Sequence, residues 1–414
     1  MPRRPTVTWS RRLAMAAFAL AIGAPVTAQG LPTDPITLAA GRVALGGDLS
    51  VVASCAHLPD GAGCGEDTGF FNYTDYKRST VRLARLAFSA SVRANRQFSF
   101  LTEVRSENGE RPEPYALYAR IRPWPTHAFD LQVGRIPPTF GTFGRRTYAS
   151  DNLLIGYPLA YQYLTSLRPD AVPADADALL RMRGRGWLSN FTLGNTTPAH
   201  GLPLVSASRW DTGIQAHAAA SWADASVAVT NGSLGNPRVS DDNAGKQVAG
   251  RVSLRPTPGL AIGVSGARAP YLTRDLLRAV VRESHSNAFN QTALGIDLEY
   301  SRDYYLLRAE TIVSHWQLPT LEPALSATSL MVEGRYKLRP GRYVAARVDH
   351  LGFNEIVGTT RTAGWDAPLT RIEVGGGYRL QRNLELKMSV QRNVRDDGRV
   401  PRLTIGSAQI VFWF

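Results

Sequence analysis

Cysteine is nearly missing from this 414-residue chain: there are two, Cys55 and Cys64, within a single stretch reading SCAHLPDGAGCGED. That excludes a disulfide-dense scaffold. One local disulfide is the expected pairing for an exported chain, with a zinc site from Cys55, His57 and Cys64 as the alternative, short of a fourth ligand nearby. Long apolar runs are missing too. Beyond the N-terminal region nothing approaches the roughly 18 consecutive apolar residues of a membrane helix, so a helical membrane protein is excluded. No repeat of solenoid period, low-complexity linker, phosphate-cradling glycine loop or plausible metal cluster is present, and no cofactor is expected. A catalytic constellation is equally lacking. His285, Ser286 and Asn287 form the one suggestive run, in a polar stretch where such residues are ordinary turn formers, so no enzyme is expected.

What is present starts with an export signal. Arg3, Arg4, Arg11 and Arg12 precede the apolar LAMAAFALAIGAPV, and Val26-Thr27-Ala28 offers small residues for cleavage, which marks 1–28 as a signal peptide and 29–414 as the mature domain. The formal net charge of +13 falls by the four arginines of this leader to +9. A basic exported chain favours anionic surfaces and anionic solutes.

The chain ends on AQIVFWF. Ala408, Ile410, Phe412 and Phe414 share one face at a spacing of two, opposite Ser407, Gln409, Val411 and Trp413, which is strand spacing. The same alternation recurs in Leu384 to Gln391, in Leu294 to Tyr300 and in Leu330 to Leu338. Short connections such as Arg339-Pro340-Gly341 and Gln381-Arg382-Asn383 alternate with longer polar ones, as in a transmembrane barrel. Slightly negative mean hydropathy fits, because half of each such strand faces water. With both termini on the short-turn side the count is sixteen strands; a further hairpin near Trp187 to Leu193 would make eighteen. The interval 138–207 reads as loop, too long for an ordinary connection and too aromatic for disorder.

Signal peptide, alternating strands, a long third loop and a terminal Phe414 with apolar residues at alternate positions together resemble a Gram-negative outer-membrane porin. Within that superfamily the chain is most similar to phosphate-selective (O/P-type) porins in size, basic charge and an arginine-bearing interior, although it has no obvious lysine cluster. The resemblance implies an all-β transmembrane barrel for passive diffusion of small hydrophilic solutes. It further implies a third loop folded into the lumen and Phe412 and Phe414 read by the barrel-assembly machinery. Outer-membrane lipid, lipopolysaccharide and a homotrimer are the implied surroundings, with no nucleic acid. The alternative is a non-conducting barrel, an adhesin or scaffold with the third loop as a plug.

With apolar faces toward lipid, the opposite faces place Arg85, Arg120, Arg122, Arg251, Arg308, Arg335 and Arg371 on the pore lining, together with Arg93, Arg105, Arg347, Arg379, Lys337 and Lys387. Fewer acids join them, among them Glu103, Asp297, Glu299, Glu333, Asp349 and Glu373. Basic rings lower the barrier for anions, which predicts a mild anion preference; the resemblance to phosphate-selective porins implies phosphate or other small oxyanions as the solutes. Arg145 and Arg146 in the third loop, and Arg274 and Arg278 spaced for one helix face in the fifth, are candidates for the constriction.

Overall fold

Residues alternating between apolar and polar can satisfy both a hydrocarbon and an aqueous surface only as strands, and every strand then needs a neighbour on each side. The computed structural model describes residues 34–57, 81, 83–124, 126–207, 209–240, 245–281, 289–397 and 400–414, without the side chain of Arg145. The signal-peptide reading, Cys64, and the His285 to Asn287 run lie outside the described residues.

Sixteen long strands form one closed antiparallel barrel. They are β1 Val43–His57, β2 Ala84–Arg93, β3 Phe98–Glu107, β4 Glu113–Ile121, β5 Phe129–Ile136, β6 Asp211–Ala219, β7 Ala223–Thr230 and β8 Gln247–Thr257. The series continues with β9 Leu260–Pro270, β10 Asn290–Arg302, β11 Tyr305–Trp316, β12 Leu325–Arg339, β13 Arg342–Phe353, β14 Leu369–Gln381, β15 Leu384–Arg395 and β16 Arg402–Trp413. Each pairs with its neighbour in sequence, and a short segment, Ile36–Leu38, lies along β1. The count of sixteen holds. Near Trp187 there is a turn of 3-10 helix and a two-residue pairing of Ala171–Val172 with Leu193–Gly194, not a further barrel hairpin.

The terminal strand closes the barrel. Asp48 lies opposite Trp413, Val51 opposite Ile410 and Ala53 opposite Ala408, so β16 seals against β1 and no backbone edge is left open. Phe414 extends the seam through two backbone hydrogen bonds with Gly47, each 3.0 Å. Its ring lies against Gly47, where an added Cβ would stand 2.4 Å from a ring carbon, so the absence of a side chain at Gly47 is what makes room for the ring. Deleting Phe414 should lower the amount of folded, heat-modifiable barrel in membrane fractions severalfold. Undiminished insertion would contradict the role assigned to this seam.

The outward faces carry an apolar belt, with Leu294, Ile296, Val374, Met388 and Val390 all more than half exposed. Leaving one such side chain in water forgoes roughly 1.5–3 kcal/mol, so this surface requires hydrocarbon against it. Trp222, Tyr305, Tyr336 and Tyr378 ring the short-turn end, the position of an interfacial aromatic girdle.

The packed core lies inside the barrel. Toward the long-loop end the inward positions turn apolar, with Ile312, Trp316, Leu325, Leu351, Leu369 and Ile405 all buried. They pack against Phe140, Leu159, Tyr163, Leu179, Leu202 and Leu204 of the third loop. Alternation therefore fades there. Leu325 and Ala327 point inward while Leu330 and Val332 point outward, leaving both faces apolar within one strand.

Candidate functional site

The third loop, 137–210, enters the barrel and is hydrogen-bonded to its wall from several sides. It contains helices α1 Leu159–Gln162 and α2 Ala176–Arg181, the latter capped by the Asp175 carboxylate accepting from the Ala178 amide at 2.7 Å. On the β13–β15 side, Arg347 donates to the Gly156 carbonyl at 2.5 Å, and Arg371 donates to the Tyr157 carbonyl at 2.7 Å and to Gln162 at 3.1 Å. Lys387 donates to the carbonyls of Ala149 and Asn152, while Glu373 accepts from the Gly156 amide at 3.1 Å. Gly156 packs tightly against the wall, since an added Cβ would stand 2.8 Å from a Glu373 carboxylate oxygen. On the β2 side, Arg85 donates to the Thr147 carbonyl at 3.0 Å and to the Tyr157 hydroxyl at 2.8 Å. On β11, Glu310 accepts from the Thr142 amide at 3.0 Å and from the Tyr161 hydroxyl at 2.9 Å.

These contacts satisfy charges that would otherwise be costly to bury. Arg347 alone meets three carboxylates, Glu373 at 2.6 Å, Asp349 at 3.1 Å and Glu333 at 3.3 Å, all of them buried. A second tie joins the loop to the segment before β14. Asp366 accepts from the amides of Ser166 and Gly184, each at 2.7 Å. Burial pushes the Asp366 carboxyl up, and the hydrogen bonds from Gly184, Ala367 and Ser166 oppose that rise.

The arginines singled out in the sequence are mostly paired. Arg85 meets Glu107 at 2.9 Å, and Arg120 meets Asp130 at 2.6 Å. Arg251 holds Asp297 through both nitrogens of its fork, and Arg308 meets Glu299 at 2.9 Å and Glu333 at 3.5 Å. Arg146 joins the same Glu299 at 2.7 Å, while Arg145 ends a turn of 3-10 helix, Phe143–Arg145. Arg335 is half-buried beside Arg308, and its Nε has no hydrogen-bond partner. Arg274 and Arg278 lie on helix α3, Arg274–Val280, as the spacing predicted; both are exposed, and Leu276 and Leu277 form its packed side. Arg122 is exposed beyond the end of β4 at the short-turn mouth, where Arg93, Lys337 and Arg379 also stand exposed at inward-facing positions. Cys55 is disulfide-bonded; Cys64, its expected partner, lies outside the described residues.

Space remains on the β1–β4 side. A cavity of about 440 Å³ opens there below the loop, walled by small inward residues, Ala44, Gly46, Ser89, Ser91 and Ala116, and roofed by Tyr148 and Ser150. On the long-loop side a narrow cleft is lined by Arg105, Glu107, Arg111, Tyr115, Arg135 and Arg209. A knot of four side chains separates the two. The Arg105 guanidinium carbon sits 3.2 Å from the Tyr115 ring centroid and 4.7 Å from that of Tyr148, its Nε bonds Glu103, and the Tyr148 hydroxyl donates to the other Glu103 oxygen. Burial pushes the Tyr148 hydroxyl up; Arg105 pulls it down and Glu103 adds to the rise, so it stays a proton donor at neutral pH. In the sequence Arg105 is one of many inward-facing arginines, with nothing nearby to distinguish it. Its setting depends on Tyr148, a residue 43 positions later in the chain.

No family model matches the sequence, and no curated protein matches it either. Solved structures do match in fold. An anion-selective porin from Comamonas acidovorans superposes with a TM-score of 0.56 at 9% identity, covering 90% of this chain and 99% of that one. OmpT of Vibrio cholerae gives 0.54 at 9% identity, covering 92% of this chain and all of that one. OmpF of Salmonella typhi gives 0.53 at 12% identity over 90% and 97% of the two chains. At these identities the likeness shows a shared sixteen-stranded barrel architecture.

Proposed function

We propose that this protein is an outer-membrane channel of porin type that passes small hydrophilic solutes by diffusion, prefers anions and catalyses no reaction. The observation that carries this reading is the open space on the β1–β4 side, a water-accessible cavity that ends at the Arg105 knot with a cleft beyond it. The apolar outer belt and closed seam suit a bilayer. Anion preference is supported by the short-turn mouth, where Arg93, Arg122, Lys337 and Arg379 stand exposed, while Asp224 there is already engaged by Arg255 at 2.5 Å. Positive potential at the mouth concentrates anions, so small oxyanions including phosphate are the proposed cargo. Residues 1–28 are proposed as the export signal, 29–414 as the barrel domain, and a homotrimer amid lipid and lipopolysaccharide as the assembled form. The barrel-assembly machinery is the proposed reader of Phe412 and Phe414.

A second reading, a plugged barrel acting as a scaffold, is favoured by the apolar core that the third loop builds within the lumen. Selectivity and conductance separate the two. The double variant Lys337→Glu, Arg379→Glu should shift the reversal potential in a KCl gradient toward cations without changing how much folded barrel is recovered. A wild-type potential of cation-selective sign would contradict the anion reading.

A further inference from the structure

Arg105 is the least satisfied charge at the knot. Its side chain is 4% exposed, one nitrogen, Nε, bonds Glu103, and neither Nη1 nor Nη2 has a hydrogen-bond partner. A guanidinium presents five N–H groups in a fixed fork, so four of its donors are buried and unmet. Buried donors in native structures are almost always met, and an ionised group left unmet is the costlier kind. The two flanking tyrosine rings supply attraction to the cation but no acceptor atoms toward the fork.

The cleft that Arg105 lines is electropositive for its size. Arg111, Arg135 and Arg209 share it, and Glu107 is drawn off by Arg85 at 2.9 Å, leaving Glu110 and Glu113 as the remaining acids. Its free volume of about 40 Å³ admits a few waters or one anionic head group, not a whole sugar. On the cavity side, Trp210 adds another buried donor without a partner, its indole Nε1.

We propose that the Arg105 fork is an oxyanion-binding subsite at the closed junction between cavity and cleft, taking a small carboxylate or phosphate group through Nη1 and Nη2. Two acceptor oxygens held bidentately meet one N–H on each of Nη1 and Nη2, a two-point match that a single chloride lacks. This deepens the channel reading by placing a recognition step on the solute path. The binding itself does not require conduction.

Binding of sodium phosphate and sodium acetate to the purified full-length barrel, measured by titration calorimetry in detergent at low ionic strength, tests it. Wild type should bind at least one of the two saturably. Phosphate alone binding would identify a tetrahedral ligand, acetate alone a carboxylate, and both the shared chemistry. Arg105→Gln should weaken binding at least about tenfold, and Arg105→Lys, which keeps the charge but loses the fork, by about fivefold. If Arg105→Gln does not assemble, the lysine variant decides. No saturable binding to wild type, or equal binding by a folded Arg105 variant, overturns the subsite. Absence of current in bilayers would count against the channel reading instead and leave the calorimetric result standing.

Discussion

Replacing Arg347 by methionine should destabilise the barrel by about 3–5 kcal/mol, the usual cost of removing one partner from a buried charge cluster. Arg347 is 1% exposed and lies among Glu333, Asp349 and Glu373, each at most 4% exposed. Without the guanidinium, three buried carboxylates lose the cation that meets all of them. The third loop also loses its bond at the Gly156 carbonyl. Arg347→Lys keeps the charge but not the fork, so its deficit should be smaller. The temperature at which the folded form loses its fast gel mobility reports the effect. An unchanged transition in Arg347→Met would mean that the cluster does not hold the loop.

Tyr148→Ala should have the largest effect on conduction. The substitution removes one ring beside Arg105 and the hydroxyl that donates to Glu103, and with them the part of the knot supplied by the loop. Neighbouring anchors remain at Thr147 through Arg85 and at Ala149 through Lys387, so the loop should keep its course. Single-channel conductance should rise at least about twofold as the junction widens. Tyr148→Phe, which loses the hydroxyl and keeps the ring, should fall between. Unchanged conductance in Tyr148→Ala would place the narrowest point elsewhere.

The barrel was legible because its rule is local. Leu384, Leu386, Met388 and Val390 reveal a strand by themselves, and the alternation of short and long connections then sets the count of sixteen. The terminal strand, Arg402–Trp413, was legible for the same reason. What the sequence concealed is set by contacts between distant residues. Arg371 reads as inward-facing from its spacing, but its engagement by Tyr157, more than 200 positions earlier, depends on where the third loop lies. The apolar inner wall was hidden because Leu325 and Ala327 break the alternation that identifies a water-filled lumen. Arg274 and Arg278 were correctly placed on a helix. Which side of that helix packs was decided by Leu276 and Leu277, and it leaves both arginines exposed.

In the proposed channel, solutes cross the barrel along its β1–β4 side, past Arg105 and Tyr148. Planar-bilayer recording of the purified wild-type protein beside Tyr148→Ala tests it most directly. Small, stepwise, anion-selective currents from wild type and larger ones from the variant are the predicted result. Silence from both proteins, each verified as a folded barrel, would contradict the claim and leave a plugged barrel in its place.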